Sequence, residues 1–221
     1  MADAAKRIEA VARWLRLFIQ PGQLTELRAL NCVAQDRTVS GWFDYDSLEL
    51  MAKQAVHLAK MSSGVYFVPN PINPEAEIPG LRKLGRNKYG EAWKDSCTAD
   101  AHIARRLWLL IDADAKREDR PRTMATAEQR DCAWKAIDQA KAILETAGYG
   151  RAVIGDSGNG WHLCQPIDMP NDDAAREKCQ RLLKGLEKKC GSEGAEIDTS
   201  TFNAARIWRI YGTENQKGKA T

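Results

Sequence analysis

The chain has 221 residues, 43% hydrophobic and 29% charged, a balance that suits a globular protein able to bury a core and excludes a disordered or membrane-embedded one. Its formal net charge of +3 is too small to argue for a polyanionic partner by itself, so any such case rests on local clusters. The six cysteines (Cys32, Cys97, Cys132, Cys164, Cys179, Cys190) lack the paired short spacing of structural zinc sites. Reduced thiols and a cytoplasmic location are expected, with no membrane partner, because no apolar run approaches the roughly 20 residues that cross a bilayer.

From Ala4 to Ile19, apolar residues recur at helical spacing (Ile8, Val11, Ala12, Leu15, Phe18), and Pro21-Gly22 ends that helix. "QLTELRALNC" alternates Leu24, Glu26 and Arg28 with Thr25, Leu27 and Ala29, which predicts a half-exposed strand. Asp44 or Asp46 is a candidate cap for a second helix through about Lys60, and "GVYFV" is a short strand ending at Pro69. Residues 69–104 carry turn and charge signals and are expected to form a long loop. Within it Arg82, Lys83, Arg86 and Lys88 form the densest basic cluster, interleaved with Tyr89 and Trp93, a pattern suited to phosphates and unpaired bases.

The second half opens with the strand "RLWLLIDAD" and continues with a helix from Thr126 to about Thr146, ended by Gly148. "RAVIGDSGNGWHLCQPI" is a hairpin around a glycine-rich turn, and a helix from about Asp172 to Lys189 precedes "EIDTSTFNAARIWRIYG", whose "RIWRIY" is strand-like. The order strand, helix, hairpin, helix, strand predicts an α+β fold with an antiparallel or mixed sheet and helices on one face.

Side chains alternate along a strand, so Asp112 and Asp114 point to the same side, as a hard divalent ion requires of oxygen ligands. In "DSGNGWH", the backbone of Ser157, Gly158, Asn159 and Gly160 could present N–H groups to an anion, with His162 just inside the returning strand. Asp198 follows an apolar residue as Asp112 does.

These three elements, in this order, resemble the catalytic core of the archaeo-eukaryotic primase superfamily, the primase-polymerases, especially those of plasmids, phages and other mobile elements. The family carries an Asp-x-Asp strand, a small-residue turn ending in His and a later acidic residue after an apolar one. Here these are Asp112 and Asp114, "SGNGWH", and Asp198. The tail "NAARIWRIYGTENQKG" is similar to the family's final strand and loop, with Arg209, Gly212, Thr213, Asn215 and Lys217 matching and Tyr211 standing where many relatives have Pro. The resemblance spans roughly residues 24–218.

It implies the archaeo-eukaryotic primase fold over 1–221: an N-terminal α/β module (1–104, with the basic loop) packed on a catalytic module resembling the RNA-recognition motif (105–221), with the active site in the cleft between them. It also implies that Asp112, Asp114 and Asp198 hold two Mg²⁺ or Mn²⁺ ions for template-directed nucleotidyl transfer. Ser157, Gly158, Asn159, Gly160 and His162 would bind the incoming nucleoside triphosphate, with Arg209 and Lys217 as further charged donors. Arg206 lies an odd number of residues from Arg209 and would face the other side of a regular strand. The implied partners are a single-stranded DNA template, contacted by Arg82, Lys83, Arg86 and Lys88, nucleoside triphosphates, and a helicase of the same replicon.

Two other classes compete. A non-catalytic single-stranded nucleic-acid-binding module leaves the aspartates unexplained and lacks that class's exposed aromatic stacking motifs. A metal-dependent nuclease or replication initiator would use the same ions to activate water, but the His-x-His pair expected of rolling-circle initiators is absent from the sequence.

Overall fold

The structure, a computed structural model, describes residues 2–32, 37–117 and 124–214. It is an α+β fold whose chain divides into two compact units, Met1–Arg105 together with the described residues from Ala204 onward, and Arg106–Asn203. Among the described residues no helix is long and apolar enough to cross a membrane.

The first unit holds α1 (Ala2–Leu15), α2 (Leu48–Leu58), the short α3 (Pro79–Leu84) and an antiparallel sheet. Its strands are β1 (Leu24–Cys32), β2 (Arg37–Asp44), β3 (Gly64–Phe67), β4 (Lys88–Glu91) and β9 (Trp208–Arg209), in the order β4-β2-β1-β3-β9. β1 is therefore the central strand, and it is not half-exposed as its alternation suggests. Leu27 and Ala29 lie across from Phe67 and Val65, all buried on one face. On the other face Leu24 joins Trp42, Val68, Ile72 and Ile78 in a second apolar cluster.

Glu26 is buried on that second face and survives there because its charge is fully engaged. Its carboxylate accepts from Arg28 Nε (2.9 Å) and Nη2 (2.7 Å), from Ser40 Oγ (2.5 Å) and from the Thr98 amide (2.9 Å). Burial alone would lower the Arg28 pKa, but the hydrogen bond and charge of Glu26 raise it above its ordinary value.

Three further parts of this unit depart from the sequence reading. β2 was hidden by Ser40 and Gly41, which interrupt its apolar alternation; Gly41 is required because a Cβ there would run into the Lys88 carbonyl and Tyr89 of β4. The 69–104 segment contains α3, β4 and a single 3-10 turn (Asp100–His102), so it is not one long loop. The second helix starts after a 3-10 turn at Tyr45–Ser47, and neither Asp44 nor Ser47 makes a side-chain cap bond.

The second unit runs β5 (Arg105–Ala115), α4 (Ala127–Thr146), β6 (Val153–Asp156), β7 (Gly160–Pro170), α5 (Asp173–Cys190) and β8 (Ala195–Ile197). The strand order β6-β7-β5-β8 is that of two split β-α-β units. Thr126 and Gln129 form a reciprocal capping box on α4, and Asp172 caps α5 through the Ala175 amide at 2.8 Å. Gly148, at φ +85°, supplies the left-handed residue that stops α4. Both helices bury against one sheet face, where Leu109, Ile111, Ala113, Leu163 and Ile197 meet Ala133, Ile137, Ala140, Leu183 and Leu186.

The closing segment corrects the expected division at 104/105. β9 is two residues long and pairs with β3 of the first unit (Tyr66 with Arg209, Phe67 with Trp208), while β8 fills the fourth place in the second sheet. Strand alternation therefore says nothing about Arg206, which precedes β9.

Candidate active site

The sheet face of the second unit that the helices leave uncovered carries Asp112 and Asp114, because Leu109, Ile111 and Ala113 take the core side. β8 adds to it. Asp114 pairs with Glu196 and Ala113 with Ile197, and the ladder continues as the Asp198 amide donates to the Asp112 carbonyl at 2.8 Å. Residues directly opposite share a face, so Glu196 joins Asp112 and Asp114 on that side of the sheet, while Asp198 stands one residue past the end of β8, next to Asp112 along the backbone. The segment after Asp198 is pinned: the Ser200 amide donates to Asp198 Oδ1 (2.8 Å) and Thr201 Oγ1 to the Leu110 carbonyl (2.6 Å).

On the other side of β5, the β6–β7 hairpin brings His162 to the same face. Its Nε2 lies 3.3 Å from Asp112 Oδ1, and the imidazole is buried at 6% exposure. The turn before it presses on β5. A Cβ on Gly160 would strike the Ala113 carbonyl and come within 2.8 Å of Asp114 Oδ1, so only glycine permits this approach.

The turn amides are used differently from the sequence expectation. Gly158 N–H donates to Asp156 Oδ1 (2.7 Å), Gly160 N–H to Ser157 Oγ (2.9 Å) and Ser157 N–H to the Gly160 carbonyl (3.1 Å). In this conformation these three donors are spent inside the turn, and an anion would gain them only as those bonds yield. Asn159 Oδ1 accepts from the Ala125 amide at 3.0 Å, tying the turn to the start of α4.

Two positions escaped the sequence reading. Glu196 becomes visible only through the β5–β8 register. Arg130 on α4 donates to Asp156 Oδ2 at 2.6 Å and lies over the Trp161 ring at 5.6 Å, so it clamps the hairpin turn to the helix. The Arg130 and Asp156 spacing in sequence carries no signal of this pairing.

The remaining sequence candidates lie elsewhere. Arg209 is in the first unit, buried at 6% exposure, with Nη2 donating to the Thr213 carbonyl at 3.1 Å. Tyr211 makes an edge-on contact with Trp14, ring centroids 4.8 Å apart, which accounts for an aromatic at that turn. Lys217 and Asn215 lie outside the described residues. Arg82, Lys83, Arg86 and Lys88 are exposed in the first unit, with Lys83 Nζ 4.6 Å from the Trp93 ring centroid and Arg86 paired to Asp44 at 2.8 Å.

All six cysteines are free thiols. Burial pushes those of Cys179 and Cys190 up from their ordinary value.

The donor set on the sheet face consists of carboxylate oxygens, the hard ligands that suit Mg²⁺ or Mn²⁺. Among the described residues no three His, Cys, Asp or Glu side chains are gathered as a metal-ligating group. Ligation by Asp112, Asp114 and Asp198 therefore calls for side-chain rotation on a backbone that already presents them together, and in that sense the residues fit such ions. No family model, curated protein or solved structure matches the chain.

Proposed function

We propose that the protein is a primase-polymerase of the archaeo-eukaryotic primase type, a template-directed nucleotidyltransferase that serves DNA replication of a plasmid, phage or other mobile element. The observation that carries this reading is the placing of Asp112 and Asp114 on one face of β5, with the Asp198 amide bonded to the Asp112 carbonyl and the buried His162 against Asp112. The split β-α-β order of the second unit agrees with the RNA-recognition-motif-like module of that family.

On this reading the three aspartates would hold two Mg²⁺ or Mn²⁺ ions, whose chemistry when bound is to acidify a 3′-hydroxyl and offset triphosphate charge. The chain's own contribution is positional. His162 would offer an N–H to a triphosphate oxygen in place of its contact with Asp112, and the Ser157 hydroxyl would do likewise by releasing Gly160. Arg209 would add a charged donor, and Arg82, Lys83, Arg86 and Lys88 would follow the template strand. The attacking 3′-oxygen forms a bond to the α-phosphorus as the bond to pyrophosphate breaks, with no side-chain nucleophile.

The test is incubation with Mn²⁺, labelled deoxynucleotides or ribonucleotides, and primed and unprimed single-stranded DNA. New or extended strands made by the wild type and lost in Asp112→Asn and Asp114→Asn support the reading. Shortened strands identify a nuclease, and retardation without synthesis identifies a binding module; either overturns it.

A further inference from the structure

The basic residues of α5 form a surface that the site does not use. Lys178, Arg181, Lys184, Lys188 and Lys189 are all exposed. At 100° per residue they fall within an arc of about 140° opposite the buried Ala175, Cys179, Leu183, Leu186 and Cys190, in a row about 16 Å long. Arg181 pairs with Glu177 at 3.2 Å, whereas among the described residues Lys178, Lys184, Lys188 and Lys189 have no ion-pair partner. Glu187, the remaining acid in the C-terminal half of α5, turns its carboxylate inward to accept from the Ile197 amide at 2.5 Å.

The helix dipole accounts for Lys188 and Lys189 in the last turn, but not for Lys178, Arg181 and Lys184 further up. A row of like charges compensated only at Arg181 costs self-repulsion that a polyanion would relieve. The cluster anticipated in the first unit is more committed, with Arg86 on Asp44 and Lys83 over Trp93.

We propose that the exposed face of α5 binds the phosphate backbone of single-stranded nucleic acid, as a second contact remote from the carboxylates. This rests on the reading of the protein as one that acts on a nucleic-acid template. α5 and the carboxylates lie on opposite faces of one sheet, so a strand segment held on α5 is not the segment being copied. The contact serves long strands, adding affinity without sequence preference.

The test compares wild type with Lys178→Gln/Lys184→Gln/Lys188→Gln, and with Lys6→Gln/Lys53→Gln/Lys60→Gln as a control of equal charge change in the first unit. Glutamine keeps helix propensity, so folding is preserved. Affinity for a long oligodeoxynucleotide is measured against salt, beside an oligonucleotide too short to span both surfaces. For the long strand the log–log salt slope should fall by about 2 in the α5 variant, from roughly 0.7 per lost phosphate contact, while the control keeps the wild-type slope. An unchanged slope in the α5 variant, or equal falls in both variants, overturns the proposal. So does an intact DNA slope accompanied by lost binding to anionic phospholipid vesicles, which would assign the face to a membrane. Nucleotide incorporation is scored separately: its absence in the wild type refutes the polymerase reading, whereas the salt slope alone decides the α5 contact.

Discussion

His162 Nε2 lies 3.3 Å from Asp112 Oδ1, which joins the hairpin turn to the aspartate strand through one buried contact. The two residues are expected to fail differently. Asp112→Asn should abolish nucleotide incorporation with little change in melting temperature, because relief of repulsion from neighbouring carboxylates offsets the lost contact. His162→Ala should raise the Michaelis constant for nucleotide about tenfold, the loss of one charge-assisted bond, and leave template affinity nearly unchanged. Near wild-type incorporation by Asp112→Asn would remove the metal assignment, and equal losses of nucleotide and template binding in His162→Ala would point to misfolding.

Gly160 tests how tightly the turn must sit on β5. An added methyl meets the Ala113 carbonyl, a backbone atom that cannot swing aside, so Gly160→Ala should destabilise the protein by about 1–3 kcal/mol in denaturant unfolding. Gly150 has open space around its Cβ position, and Gly150→Ala should cost little by the same measurement. Equal costs at the two sites would mean that the hairpin does not lie against β5 as described.

Arg130 acts through Asp156, whose two oxygens join Arg130 to the Gly158 amide. It is a positioning residue, partly exposed, and its ion pair should add under about 1 kcal/mol of stability. Arg130→Ala should raise the Michaelis constant for nucleotide severalfold at nearly constant kcat, and Arg130→Lys should recover part of the loss. A fall in kcat with an unchanged Michaelis constant would refute that positioning role.

The second unit was legible in the sequence because its signals are local. Alternation placed Asp112 and Asp114 on one face, Thr126 and Asp172 marked helix starts, and the glycine-rich turn marked the hairpin. What escaped depends on pairing between distant segments. Glu196 joins the carboxylates only through register with Asp114, and β9 left the second sheet because β3 offered it an edge. In the first unit Glu26 lies on a strand that alternation makes half-exposed, yet Arg28, Ser40 and Thr98 complete its bonds inside. No local pattern distinguishes a satisfied buried acid from an exposed one.

That buried acid gives a stability prediction independent of catalysis. Glu26→Ala would strand the half-buried Arg28 and leave the Ser40 hydroxyl and Thr98 amide without their acceptor, at a cost of about 3–5 kcal/mol. Ser40→Ala removes one donor of several and should cost about 1 kcal/mol. Urea unfolding of the two variants decides: a Glu26→Ala cost no larger than that of Ser40→Ala would show that the network contributes little to folding.

Arg209 poses the sharpest question, since the same guanidinium has a structural partner and a proposed ligand. Its Nη2 donates to the Thr213 carbonyl at 3.1 Å, and Thr213 Oγ1 donates back to Ile210 at 2.5 Å, so the side chain helps close the turn after β9. Truncation alone would confuse the two roles. Arg209→Met keeps the buried aliphatic bulk while removing the charge and every donor, and Thr213→Val breaks the turn's hydroxyl bond while leaving Arg209 in place. If Arg209 grips the triphosphate, Arg209→Met should raise the Michaelis constant for nucleotide about tenfold, the effect of losing roughly 1.5–3 kcal/mol, whereas Thr213→Val should lower the melting temperature and leave that constant nearly unchanged. The salt slope of template binding should not move in Arg209→Met, because a residue held on the nucleotide releases no counterions from the strand. Matching losses of stability in the two variants, with the nucleotide constant unchanged in both, would make Arg209 a purely structural residue of the closing turn. A flattened salt slope would instead assign it to the template path.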